Sequence, residues 1–214
     1  MTIAEQILRA KSDYDEVYEA GYEKGKAEGG GEEIFYTNHG SMYKRHTIID
    51  TNAQDGFYNY AYRYATEMET LSVPNLIAMW SSASAVFDSC SKLRSVYMPN
   101  ILQIGQNFFS NCLLLEDITL GTTSNPMQKV AVNSFFNCPS LKHFNYIGVL
   151  PVTISFEKSI NLNATSIETI INSLSETAEG QSLTLSGEAV NKAFAEDDWS
   201  ILVNSKTNWT ISLV

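Results

Sequence analysis

The stretch Phe87-Asp-Ser-Cys90-Ser-Lys-Leu93-Arg-Ser-Val96-Tyr-Met98 recurs along this chain of 214 residues and decides its fold. Its pattern is F-x-x-C-x-x-L-x-x-Φ-x-Φ, where Φ is an apolar residue, and it begins again at Phe109 and at Phe135. A weaker copy, without the phenylalanine and the cysteine, begins at Tyr62. Self-similarity at a spacing of 20 to 30 residues is typical of stacked-repeat proteins.

The chemistry of one unit predicts how the units stack. The apolar pair at its end, such as Val96 and Met98, alternates with polar residues, which predicts a short strand with one buried face. The phenylalanine is expected to fill the inside of the opposite turn. Because one unit cannot bury these side chains alone, the units should stack and their strands should form a parallel sheet. A second apolar segment follows the strand, as at Ile104 in one unit and at Val130 and Val132 in another.

All three cysteines, Cys90, Cys112 and Cys138, occupy the same repeat position. This indicates small apolar residues inside the coil, and the odd number without a CxxC pair argues against a disulfide framework. Reactive or metal-binding thiols are the alternative, but no histidine or carboxylate recurs at ligand spacing. A dyad of Cys138 and His143 is disfavoured because the cysteine should point inward and the histidine outward. We therefore predict no metal site and no cofactor.

The pattern resembles the BspA-like leucine-rich repeat, and the resemblance covers residues 62–147. It implies an α+β fold with a short solenoid and a parallel sheet. It also implies an adhesive or structural role, because that family has no shared catalytic residues. The repeats are expected to occupy residues 62–160.

Residues 1–28 are predicted to form a helix, and the glycines of residues 29–33 a flexible joint. Small and apolar residues recur along the helix at alternating steps of four and three, as in a coiled coil: Ile3, Ile7, Ala10, Tyr14 and Val17. One interpretation is an amphipathic helix lying on its own domain. The other is an attachment or oligomerisation element.

Residues 34–61 are rich in aromatic side chains and are predicted to be the N-terminal cap of the first coil, because the ends of a repeat stack must be covered. A sugar-binding platform is the alternative, since tyrosine offers an apolar ring and a polar tip. Its candidate binding residues are Tyr36, Tyr43, Tyr58 and Tyr60.

Residues 161–214 leave the repeat and are predicted to form an α/β cap. Residues 164–174 read as a helix with a serine or threonine N-cap, and residues 183–185 as a strand. One or two helices are expected over residues 187–203, beginning near the acidic run 196–198. Residues 209–213 alternate like a final strand.

The net charge of −10 comes from both ends of the chain, and residues 34–150 are neutral. No basic stripe is present for nucleic acid, and an anionic membrane would repel the acidic ends. No apolar run predicts a signal peptide or a membrane span, so cytoplasmic synthesis is expected. No nucleophile, zinc or phosphate-binding motif is found, which predicts a protein that is not an enzyme.

The order of these parts is similar to that in BspA-like repeat proteins of bacteriophages and prophages of gut Firmicutes. This resemblance implies a tail-associated structural or receptor-binding protein of the virion. The alternative is a bacterial or prophage-derived adhesion or protein-interaction module, located in the cytoplasm or at the bacterial cell surface. The expected partners are other virion proteins, a host-surface protein or glycan, or further copies of the chain.

Overall fold

The computed structural model describes residues 47–49 as backbone, and residues 62–74, 76 and 83–214 in full. The predicted helix of residues 1–28 and the joint of residues 29–33 lie outside these residues. So does the predicted cap of residues 34–61, apart from one short strand.

The described residues contain ten strands and three helices. The strands are β1 (Thr47–Ile49), β2 (Thr70–Ser72), β3 (Ser95–Met98), β4 (Gln103–Ile104), β5 (Asp117–Leu120), β6 (Lys129–Val130), β7 (His143–Tyr146), β8 (Ile154–Phe156), β9 (Gln181–Leu185) and β10 (Trp209–Leu213). The helices are α1 (Ala164–Ser173), α2 (Gly187–Ala193) and α3 (Glu196–Asn204).

The predicted parallel sheet is confirmed. It has five strands in the order β1-β2-β3-β5-β7, and each repeat contributes its apolar pair to the buried side. Leu71 is in register with Val96, Val96 with Ile118, and Ile118 with Phe144. This register confirms the weak first copy, whose Leu71 is fully buried. Strand β1 adds a further parallel strand ahead of it.

Opposite the strands, one aromatic ring from each unit stacks on the ring of the next. The ring centroids of Tyr62, Phe87, Phe109, Phe135 and Phe156 are separated in turn by 5.3, 5.5, 6.1 and 5.5 Å. Successive rings lie within 14° of parallel. We call this row the aromatic ladder. The phenylalanines fill the inside of the turn as the sequence predicts.

The residue before each cysteine adopts a left-handed backbone conformation, as at Ser89, Asn111 and Asn137. Asparagine tolerates this region better than most residues, and here its side chain also links the units. The Asn137 amide donates to Asn111 over 2.8 Å, and the Asn111 amide donates to Asp88 over 3.0 Å. The Asp88 carboxylate also accepts from Arg63 at 2.8 Å.

The second apolar segment forms a two-stranded sheet in which β4 pairs with β6, so that Ile104 lies beside Val130. Both side chains are buried. Val132, the other apolar residue of this segment, is 39% exposed. Strand β6 ends at Val130, and the chain then turns.

A further unit follows the three complete copies. Phe156 ends the aromatic ladder, Ser159 stands where the cysteine stood, and Leu162 occupies the leucine position; all three are buried. The chain then enters α1 instead of a strand. The side chain of Asn163 caps this helix by accepting from the backbone of Ser166, so the predicted serine or threonine cap is corrected to asparagine.

The C-terminal part contains the predicted strands and helices in the predicted order. Strands β8, β9 and β10 form a parallel sheet with β9 in the centre, and two helices, α2 and α3, separate β9 from β10. Three side chains near the end of the chain hold the loop after α1. Lys206 donates to Leu174, whereas Asn208 and Trp209 both donate to the carbonyl of Ser175.

Candidate functional site

The outer side of the five-stranded sheet is the best-defined polar surface that the structure describes. Because successive side chains of a strand point to opposite faces, the residues between the buried ones point away from the core. We call this surface the polar face. Its members, two from each of β2, β3, β5 and β7, are Thr70, Ser72, Ser95, Tyr97, Asp117, Thr119, His143 and Asn145.

The register of the strands arranges these side chains in two rows that run across the sheet. One row joins Thr70, Ser95, Asp117 and His143, and the other joins Ser72, Tyr97, Thr119 and Asn145. Neighbours within a row are separated by about 4.8 Å, the distance between paired strands. Since the backbone of each strand is held by its neighbours, the rows are presented on a rigid base.

Tyr97 is the only phenylalanine, tyrosine or tryptophan among the described side chains of the polar face, and it is 47% exposed. Among the described residues, no side chain or backbone group bonds the hydroxyl of Tyr97 or those of Thr70, Ser72 and Ser95. The amide of Asn145 makes a long contact of 3.5 Å with Thr119 Oγ1. Much of the hydrogen-bonding capacity of this surface is therefore open to a ligand.

Most charged groups on and beside the polar face are paired with each other. On the face, His143 Nδ1 bonds the carboxylate of Asp117. At its edge, Lys92 pairs with Glu67 at 2.7 Å and Arg94 pairs with Glu116 at 2.6 Å. All of these side chains are exposed, so the pairs add little to stability.

On the inner side, the three cysteines are buried as predicted. Each thiol donates to a backbone carbonyl of the preceding unit: Cys90 to Tyr62, Cys112 to Phe87 and Cys138 to Phe109. Burial raises the pKa of Cys90 and of Cys138 to about 12, and that of Cys112 well above its usual range. A thiol in this environment stays protonated and is a poor nucleophile.

The structure therefore gives no support to a dyad of Cys138 and His143. The thiol points into the core and bonds Phe109, whereas the imidazole lies on the polar face and bonds Asp117. Within the described part of the chain, no three histidine, cysteine or carboxylate side chains form a group that could hold a metal ion.

The tyrosines proposed from sequence as binding residues are Tyr36, Tyr43, Tyr58 and Tyr60, and they lie outside the described residues. The same holds for the proposed oligomerisation residues Ile3, Ile7, Ala10, Tyr14 and Val17. The polar face was not singled out from sequence, although the alternation in each strand marks its positions. The residues of the polar face differ from unit to unit, so a search for the repeat pattern does not identify them.

A family model for the BspA type leucine-rich repeat region matches residues 55–185 in six copies. The chain belongs to this family. The match begins ahead of Tyr62, runs through the unit of Phe156 and Ser159, and continues beyond the repeats predicted for residues 62–160 into β9. Leucine-rich repeats of this kind are in general interaction modules and not enzymes. No curated protein and no solved structure matches the chain.

None of the helices in the described ranges has the length and apolar character needed to cross a membrane.

Proposed function

We propose that this BspA-type repeat protein is a non-enzymatic adhesion or protein-interaction module that binds its partner through the polar face. The observation that carries the proposal is the exposed Tyr97, flanked on a rigid parallel sheet by hydroxyl and amide side chains with open hydrogen-bonding capacity. Family membership supports the same class of function.

The composition of the polar face suits recognition. Tyrosine offers a large contact area at a small cost in conformational entropy, and serine and asparagine offer adaptable hydrogen bonds, which is why binding loops of antibodies are rich in them. Here Tyr97, Ser95 and Asn145 are carried by paired strands. A ligand would therefore meet a surface that needs little reordering on binding.

The experiment compares attachment of the labelled protein to intact bacterial cells and to cultured epithelial cells. Tyr97→Ala should reduce attachment about tenfold, the effect of losing one central aromatic contact. Tyr64→Ala is the matched control, because Tyr64 is 60% exposed but lies in a turn away from the polar face. Equal attachment of both variants and the parent protein would contradict the proposal.

We also propose that the stacked units form a short solenoid and that the protein is a tail-associated component of a virion. The support for the virion is the resemblance to phage and prophage proteins described above. An antibody against this chain should label purified phage particles at the tail, and labelling confined to bacterial cells would favour the alternative adhesion module.

In this scheme residues 1–28 attach the protein to its assembly or to further copies of itself. Deleting them should leave a folded protein that no longer forms oligomers or enters particles. Light scattering that shows the same oligomeric state for the truncated and full-length chains would assign the helix to a local covering role. The tyrosines of residues 34–61 remain either an N-terminal cap or a second binding platform, and Tyr58→Ala tests the latter in the same attachment assay.

A further inference from the structure

Building on the proposed function, we infer that the ligand of the polar face is a neutral, extended oligosaccharide that lies across the strands. Four properties of the polar face carry it: its unused hydrogen-bonding groups, the exposed ring of Tyr97, its paired charges and the spacing of its strands.

The first property is the kind of hydrogen-bonding group that faces outward. Hydroxyls and amides both donate and accept, as do the hydroxyl groups of a sugar. Ser95, Thr119 and Asn145 lie in neighbouring strands and provide such groups on both rows. Asp117 adds an acceptor beside them. One oxygen of its carboxylate bonds His143, and the other can accept a hydrogen bond from a ligand.

The second property is the exposed ring of Tyr97 in the middle of the row that joins Ser72 to Asn145. The flat side of a pyranose ring carries C–H groups, which pack against the face of an aromatic ring while the hydroxyls at its rim remain free for hydrogen bonds. Tyrosine serves this purpose well because its ring is apolar and its tip is polar.

The third property is the pairing of charges. Lys92 pairs with Glu67 and Arg94 pairs with Glu116, so these opposite charges satisfy each other within the protein, and the carboxylate of Asp117 bonds the ring of His143. A charged glycan or a charged peptide would have to compete with these pairs for its contacts. A neutral ligand makes its hydrogen bonds without breaking these ion pairs.

The geometry favours a chain-like ligand over a globular protein. The four strands whose outward side chains are described span about 14 Å across the sheet. A stable protein–protein interface takes about 800 Å² from each partner, which is much more than these two rows provide. The strand spacing of about 4.8 Å is close to the advance per residue of an extended pyranose chain, so successive sugars can meet equivalent positions on successive strands.

The test uses the full chain and a length series of neutral oligosaccharides, with cello- and chito-oligosaccharides from the disaccharide to the hexasaccharide, together with an array of other neutral linkages. Isothermal titration should show affinity that rises with length and levels off at about four to five sugars, when the ligand covers the sheet. Tyr97→Ala should weaken binding of the best oligosaccharide about tenfold. Asn145→Ala should weaken it severalfold, and Tyr64→Ala should leave it unchanged.

The outcomes separate this inference from the proposed function. If no oligosaccharide binds, neutral or charged, but Tyr97→Ala still weakens attachment to cells, the glycan assignment is wrong and the partner is a protein. If only sulfated or sialylated probes bind, the assignment to a neutral ligand is wrong. If Tyr97→Ala changes neither attachment nor oligosaccharide binding, both proposals fail.

Discussion

The thiol of Cys138 donates to the backbone carbonyl of Phe109, 3.2 Å away in the preceding unit. The same bond joins Cys112 to Phe87 and Cys90 to Tyr62. A cysteine at this position therefore fills a crowded turn and also gives a second hydrogen bond to a carbonyl that already accepts from a backbone amide, as Phe109 does from Cys112. This double role accounts for a cysteine that recurs with its thiol buried and protonated.

These thiols should react slowly with a disulfide reagent in the native protein. Burial keeps Cys90, Cys112 and Cys138 protonated, and the thiolate is the reactive form. The measurement is the rate of colour release at mildly alkaline pH, with the protein in denaturant as the control in which all three react at once. Fast modification of two or more thiols in the native state would show that they do not point inward.

The same pKa shifts predict a loss of stability at high pH. The pKa of Cys90 and of Cys138 is raised from 9.0 to about 12 by burial. The unfolded chain therefore releases these protons before the folded chain does. Stability should be complete below pH 9 and should fall between pH 9 and 12, by up to about 1.4 kcal/mol per pH unit for each thiol.

Urea unfolding across this pH range measures the effect, and a variant with serine at all three positions is the control. Serine is tolerated at the equivalent position of the next unit, where Ser159 donates to the carbonyl of Cys138 at 3.0 Å. The pH dependence of the variant should be shallower. It should not be flat, because burial also raises the pKa of Tyr146. Identical slopes for both proteins would exclude the thiols as the cause.

Removing a ring from the middle of the aromatic ladder should be costly. Phe109 is fully buried between Phe87 and Phe135, so Phe109→Ala leaves a cavity that both neighbours line and should cost about 3–5 kcal/mol of unfolding free energy. Phe136 is 38% exposed, and Phe136→Ala should cost about 0.5 kcal/mol. Equal midpoints of urea unfolding for the two variants would contradict the ladder.

Alanine substitutions at two glycines distinguish the cost of a left-handed backbone from the cost of a steric overlap. Gly121 and Gly180 both have a positive φ, of 78° and 69°. A Cβ at Gly121 would overlap the carbonyl oxygen of Ile147, whereas a Cβ at Gly180 would meet no atom within 4 Å. Gly180→Ala should cost about 1 kcal/mol for the left-handed backbone alone, and Gly121→Ala should cost at least about 2 kcal/mol more. Equal melting temperatures would mean that the Gly121 turn can widen.

The inward half of this protein could be predicted from its sequence because its residues recur. The core residues of one unit have the same kinds of neighbours as their counterparts in the other units, so similar side chains fit at each position. In the second complete unit these residues are Phe109, Cys112, Leu115 and Ile118. The predicted repeat region of residues 62–160 includes Phe156, but its unit was not recognised as a copy for two reasons: Ser159 replaces the cysteine, and α1 replaces the strand. Only the stacking of Phe156 on Phe135 makes its place in the series plain.

The outward half could not be predicted in the same way. Tyr97, Thr119 and Asn145 occupy equivalent positions in three units, yet they share no side chain, because solvent or a ligand, and not the neighbouring unit, is their partner. The alternation of the strand shows that they point outward. What they bind depends on how three unlike side chains are placed side by side, which follows from the register and not from the pattern of one repeat.

Asparagine side chains also link neighbouring units at the turn that follows the strands. Asn125 donates to Asn100, and Asn100 donates to the carbonyl of Pro74. The unit of Asn100 thus carries both halves of its joints: a donor for the unit before it and an acceptor for the unit after it. Duplication or deletion of such a unit in the gene would leave joints of this kind intact. The number of strands on the polar face would then change by one unit at a time. The length of the proposed oligosaccharide that the face can bind would change with it.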